Sequence, residues 1–191
     1  YYVSPYIEGG SLRDRLHDRK NLPVADAIRI AHEVGVALDY AHRSGFVHRD
    51  VKPENILFAD DHALLADFGI AHVSAVTSAE TLTESGLALG TPEYMSPEQA
   101  AGDPDVGVPG DVYGLGCVVF EMLAGEPPFR GASSQATMAK HVTERPRPLR
   151  SLRPDTPAGV ELVVAKALAK DPSERYGSVG QFTSELTDAR K

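Results

Sequence analysis

A single cysteine, Cys117, excludes an internal disulfide from this 191-residue chain and fits a reducing, cytoplasmic setting. It sits in the apolar run Cys117-Val118-Val119-Phe120, where a buried, inert thiol is expected. There is no excess of basic residues. The net charge of −8 argues against a general nucleic-acid or anionic-membrane binder, which normally presents a basic face. No stretch approaches the roughly 20 apolar residues that a membrane helix needs, and no signal peptide opens the sequence. An anchor lying outside this chain stays open. Internal repeats and low-complexity tracts are also missing, and the length suits one well-buried core.

Against these absences stands one dense polar stretch, His48-Arg49-Asp50-Val51-Lys52-Pro53-Glu54-Asn55, followed by the apolar run Ile56-Leu57-Phe58. Twelve residues after Asn55 comes Asp67-Phe68-Gly69. An Asp, a Lys two residues on, an Asn three after that and a second Asp on a nearby turn suit phosphoryl transfer. That chemistry asks mainly for groups that hold metal-bound phosphates and orient a hydroxyl nucleophile. Asp50 is the candidate base, and Lys52 can offset charge on the transferring phosphoryl group. Asn55 and Asp67 offer the hard oxygen ligands that Mg²⁺ prefers. A turn Asp and a capping Asn would be the ordinary readings of these residues taken singly.

Three further segments follow in order: Gly90-Thr91-Pro92-Glu93-Tyr94-Met95-Ser96-Pro97-Glu98, Asp111-Val112-Tyr113-Gly114-Leu115-Gly116, and a late Arg175. Together with the first two motifs they resemble the eukaryotic-type protein kinases, in wording most like the bacterial serine/threonine kinases. The resemblance runs over nearly the whole chain. It implies ATP and Mg²⁺ (or Mn²⁺) as cofactors and protein Ser/Thr hydroxyls as substrates, Lys52 being typical of the serine/threonine class. No G-x-G-x-x-G and no V-A-I-K-like tetrapeptide precedes His48. The chain is therefore expected to be a kinase large lobe, with the last small-lobe strand and hinge at 1–10 and the large lobe at 11–191. Its catalytic loop would be 48–55 and its activation segment 67–98. The isolated piece is expected to be inactive. The alternative from another class is a non-catalytic, pseudokinase-like scaffold, which would have no need of the metal ligands. Small-molecule phosphotransferases fit less well, because Lys52, Thr91 and the Ser-Pro-Glu segment serve protein substrates.

The resemblance also assigns roles residue by residue. Pro5 and Ile7 would meet adenine through their backbone, with Ser4 as gatekeeper, and Ser11 stands where relatives often meet the ribose. An N-cap for the following helix is an equally good reading of Ser11. Leu57 would lie under adenine, with Leu12, Val118 and Met122 beneath it. His48 and Phe68 would share an internal hydrophobic column. Thr91 would bridge Asp50 and Lys52, and 92–98 would form the substrate-side ledge. Glu54 could meet a basic residue of a substrate, although solvent exposure is its default. Thr83 and then Ser85 are the expected autophosphorylation sites, with Arg49 as a phosphate partner, His72 as a weaker one and a homodimer as the route. Glu98 and Arg175 would form a buried ion pair.

The expected fold is mainly α, a helical bundle with a short β-hairpin region at the catalytic loop, becoming α+β in the complete domain. Residues 1–4 read as a strand, and helical spacing predicts helices over 12–19, 24–43, 112–124, 134–144, 160–169 and 179–189. Asp111 would cap the helix at 112–124, which is apolar nearly all round, while hydrogen-bonding the catalytic-loop backbone. Residues 102–110 and 146–157 read as Pro-rich loops, with Arg145, Arg147, Arg150 and Arg153 solvated. His32 and His42 read as solvated or capping residues and not as a metal pair.

Overall fold

The computed structural model describes residues 7–67 and 91–190. The expected strand at 1–4, Ser4, Pro5, Phe68, His72, Thr83 and Ser85 lie outside the described residues.

The protein is mainly α. Helix α1 (Leu12–Asp18) starts at a capping box: Ser11 Oγ accepts from Asp14 N at 3.2 Å, and Asp14 Oδ2 accepts from Ser11 N at 2.8 Å. Helix α2 (Val24–Arg43) buries Ala27, Ile28, Ala31, Val34, Leu38 and Ala41, a stripe of three- and four-residue steps. That stripe packs on α4 (Val108–Ala124) and α8 (Val179–Asp188). The fit to α8 is close, because a Cβ on Gly35 would come within 2.7 Å of Thr183 Cγ2. Helix α4 is the axis of the fold. Every residue from Gly110 to Leu123 is buried, and Gly125 at φ 82° ends the helix. Around it lie α3 (Pro97–Ala100), α5 (Ser134–Thr143), α6 (Leu149–Leu152) and α7 (Ala158–Ala167).

One antiparallel hairpin interrupts the helices. Strand β1 (Ile56–Ala59) pairs with β2 (His62–Leu65) in the register Ile56 with Leu65 and Ala59 with His62. Its two-residue turn places Asp60 at φ 47° and Asp61 at φ 65°, the left-handed geometry that matches strand twist. On the other side of β1 the chain entering α1 adds a short rung: Gly9 N donates to Phe58 O at 3.1 Å, and Phe58 N to Gly10 O at 3.0 Å. A Cβ on Gly9 would stand 2.1 Å from Phe58 O, so only glycine permits this approach.

Three expectations need correction. Helix α4 begins at Val108, not 112, because Pro109 sits in its first turn, where a missing N–H costs nothing. Asp111 is thus inside the helix, not its cap. The 146–157 loop contains α6, and Arg153 is partly buried there, donating from Nη1 to the carbonyl of Leu22. His32 is exposed as expected, but the His42 side chain is buried, its Nε2 2.7 Å from Asp111 Oδ2. Glu54 is exposed as expected and pairs with Arg13 Nε at 2.7 Å. The Glu98–Arg175 pair is present: Nη1 and Nη2 of a fully buried Arg175 side chain each lie 2.8 Å from a Glu98 oxygen. Among the described residues no helix is long and apolar enough to cross a membrane.

Candidate active site

The catalytic-loop candidate is shaped by α4. The buried carboxylate of Asp111 accepts from His48 N at 2.8 Å and Arg49 N at 2.7 Å, and it faces the His42 ring. Two successive amides aimed at one carboxylate force the chain to turn, and Arg49 adopts φ 65°. A non-glycine residue pays roughly 1–2 kcal/mol for that conformation. The Arg49 carbonyl is held as well, accepting from Gln99 Nε2 at 2.7 Å. Gln99 also closes a capping box with Ser96 at the start of α3. The strained residue directly before Asp50 is therefore gripped from α4 on one side and from α3 on the other.

His48 continues the frame inward. Its Nδ1 accepts from Asp50 N at 3.2 Å, which places the ring proton on Nε2, and Nε2 then donates to Ala66 O at 3.0 Å. This bond ties the loop to the strand end that leads into Asp67. Beyond it, Asp50, Lys52 and Asn55 come together. Lys52 Nζ lies 2.7 Å from Asp50 Oδ2, and Asn55 Nδ2 donates to Asp50 Oδ2 at 3.0 Å and to Asp50 O at 2.8 Å. The Asp50 side chain keeps about a third of its surface exposed, at 35%, so a substrate hydroxyl can reach it.

Asp67 sits at the same end of the hairpin as Asn55. Leu65 pairs with Ile56, and Ala66 N donates to Asn55 O at 2.8 Å, so the chain leaves the ladder beside Asn55. Asp67 is exposed and stands at φ 56°. The donor set fits a divalent ion. The Asn55 amide nitrogen is spent on Asp50, which leaves its oxygen for a cation, and the Asp67 carboxylate is open to solvent. Among the described residues no group of three His, Cys, Asp or Glu could hold a metal alone. An ion placed here would complete its shell with phosphate oxygens or water, as Mg²⁺ commonly does.

The remaining candidates are distributed as follows. Ser11 is the N-cap of α1, with its hydroxyl donating to Asp14 Oδ2 at 2.7 Å. Leu57 is half-buried on β1 and bridges to Ser11, while Leu12, Val118 and Met122 lie in the core. Ile7 is half-buried at the start of the described chain. Thr91 precedes the 3₁₀ turn Pro92–Tyr94, but its hydroxyl has no hydrogen-bond partner among the described residues. The expected bridge to Asp50 and Lys52 is not formed. The guanidinium of Arg49 makes no ion pair among the described residues either.

The sequence reading did not find three supporting contacts. His42 meets an Asp 69 positions away, so no local pattern points to it. Gln99 ends a Ser-x-x-Gln capping box, and nothing local in the sequence marks it as a hold on Arg49. Arg13 reaches Glu54, Glu121 and the Tyr94 hydroxyl from α1, contacts spanning 41, 108 and 81 positions. Burial pushes the Tyr94 hydroxyl strongly up, helped by the Glu121 carboxylate, so it stays a neutral donor.

Comparison with known proteins identifies the family. The protein kinase domain model matches residues 1–186. The serine/threonine-protein kinase PknB of Mycobacterium leprae is 40% identical over 187 residues, covering 97% of this chain and 30% of that protein. PknB of Mycolicibacterium smegmatis is 41% identical over the same length and coverage. The serine/threonine-protein kinase PknD of Mycobacterium tuberculosis is 43% identical over 185 residues, 96% of this chain and 27% of that protein. The chain thus spans about 30% of the length of the curated relatives it matches. With a family match over nearly all of its length, the chain belongs to the protein kinase domain family.

Proposed function

We propose that the protein carrying this chain transfers the γ-phosphate of ATP to serine or threonine hydroxyls of proteins. The observation that carries this reading is the Asp50–Lys52–Asn55 constellation, with a partly exposed carboxylate hydrogen-bonded by an amide and paired with an ammonium. Asp50 orients the substrate hydroxyl and accepts its proton late in the transfer. Lys52 turns from Asp50 toward the transferring phosphoryl group as negative charge gathers there. Thr91 would swing to the pair when a peptide binds. Asn55 Oδ1 and the Asp67 carboxylate would hold Mg²⁺ or Mn²⁺, which neutralises phosphate charge when bound. Pro5, Ile7 and Leu57 line the adenine side of this reading, with Ser11 near the ribose. The catalytic loop is 48–55 and the activation segment 67–98, within a large lobe at 11–191 that follows a hinge at 1–10. Phosphorylation of Thr83, then Ser85, between two copies would supply an anion for Arg49.

The test is transfer of labelled phosphate from ATP by the full-length protein and by its Asp50→Asn variant. Loss of the base should lower the rate by about 10²–10⁴-fold with an unchanged melting temperature. A variant as active as the wild type removes Asp50 from the role. No transfer by either protein would leave a folded binding body.

A further inference from the structure

One polar knot beside the proposed active site is not used by the transfer chemistry. Arg13 projects from α1 with three partners. Its Nε lies 2.7 Å from Glu54 Oε1, its Nη1 lies 2.8 Å from Glu121 Oε1, and its Nη2 donates to the Tyr94 hydroxyl. Tyr94 in turn donates to the other oxygen of Glu121. Burial works against the charge on Arg13, but its hydrogen bonds to Glu121 and Glu54 outweigh that and hold the guanidinium protonated. The Glu121 side chain is nearly closed off at 6% exposed, whereas Arg13 at 34% and Glu54 at 39% form an open mouth.

Two carboxylates and a phenol converging on one planar fork make a receptor for a guanidinium. Its walls belong to the site already described. Glu54 follows Asp50 by four residues on the same loop, and Tyr94 ends the turn that follows Thr91. An arginine in a substrate passing Asp50 would meet this receptor and find it filled. We propose that Arg13 is a specificity residue, a cis-acting guanidinium that occupies the Glu54–Glu121 receptor and thereby removes selection for arginine in the protein substrate. The proposal rests on the kinase reading and names the feature that its substrates do without.

The experiment compares peptides carrying arginine or norleucine at each position on the N-terminal side of the target Ser/Thr. Phosphorylation by the full-length protein is measured alongside binding by fluorescence anisotropy without ATP. The wild type should treat the two series alike within about twofold. Arg13→Ala should gain about tenfold in kcat/KM at one arginine position, mostly through KM, since a charge-assisted pair is worth on the order of one decade. The gain should vanish in Arg13→Ala/Glu54→Gln. Arg13→Gln keeps a donor for Glu121 and guards against misfolding; it should gain about threefold at the same position. Neither variant gaining overturns the proposal. So does a wild type that already prefers arginine tenfold in a manner abolished by Glu54→Gln. A wild type that phosphorylates no peptide defeats the kinase reading separately. The anisotropy arm still decides on Arg13, and equal binding of both peptide series by Arg13→Gln overturns it.

Discussion

Along α4, Gly110 to Leu123 are buried without interruption. Between residues 49 and 67, by contrast, the structure concentrates strain: Arg49, Asp60, Asp61 and Asp67 are the non-glycine residues at positive φ among the described residues. Each such residue costs roughly 1–2 kcal/mol, which a loop facing solvent cannot recover by itself. The recovery comes from the body. Asp111 is anchored within α4, accepts the two amides of the strained turn, and makes a stiff helix the template for a loop that must present Asp50. The body supplies rigidity and the loop spends it on geometry. Perturbing the body should therefore change how much protein is folded, and perturbing the loop should change what the folded protein does.

The largest effect expected within the body is at Arg175. Its guanidinium makes five bonds, to both oxygens of Glu98 and to the carbonyls of Ala169, Pro109 and Lys170. Burial raises the cost of an ionised Glu98, yet Arg175 holds its carboxyl below the usual range. Arg175→Ala strands that carboxylate and should cost about 3–5 kcal/mol, read as a lowered urea midpoint. Activity per folded molecule should stay near the wild-type value. A large loss of activity at unchanged stability would break the division between body and loop.

A second test uses pH. The buried ring of His141 accepts from the Tyr113 hydroxyl with Nδ1 at 2.8 Å and packs on Phe129, while Lys170 Nζ donates to its carbonyl. Burial, and then the Lys170 charge, bring its pKa down to about 4. In the unfolded chain the ring binds its proton near 6.5. The neutral ring thus contributes stability in full above about pH 6.5, and that contribution is lost as pH falls toward 4, about 3 kcal/mol across the window. Glu98 and other carboxylates also titrate at the acid end. The clean measurement is accordingly the difference between wild type and His141→Gln in unfolding free energy at pH 7 and pH 4.5. A difference that does not shrink on acidification would mean that the ring carries a proton in the folded state.

The same division explains what the sequence revealed. The candidate loop was legible because Asp50, Lys52, Asn55 and Asp67 lie within eighteen residues and their types suit phosphate and metal. Helix α2 was legible through its period. The start of α4 was not, since Gly107-Val108-Pro109-Gly110 reads as a loop by composition, although a first helical turn accepts proline. His42, Gln99 and Arg13 escaped for another reason: their partners are distant in sequence, and nothing local in an Arg or a His says which carboxylate it will meet. Supporting contacts of this kind are products of the fold.

The smallest effect separates two uses of the same backbone conformation. Asp61 and Arg49 both stand at φ 65°. Asp61 turns a hairpin; its side chain is 86% exposed and pairs with Arg15 Nη2 at 3.0 Å. Asp61→Gly relieves roughly 1–2 kcal/mol of left-handed strain. Against this, glycine adds about 0.5–1 kcal/mol of unfolded-state freedom, and an exposed ion pair worth about 0–1 kcal/mol is lost. The terms nearly cancel, so stability should move by less than about 1 kcal/mol and kcat/KM of the full-length protein by less than about twofold. Should Asp61→Gly instead depress activity as strongly as a change at Asp50, the hairpin turn would have to be counted with the catalytic loop, and strain in this fold would be functional wherever it occurs.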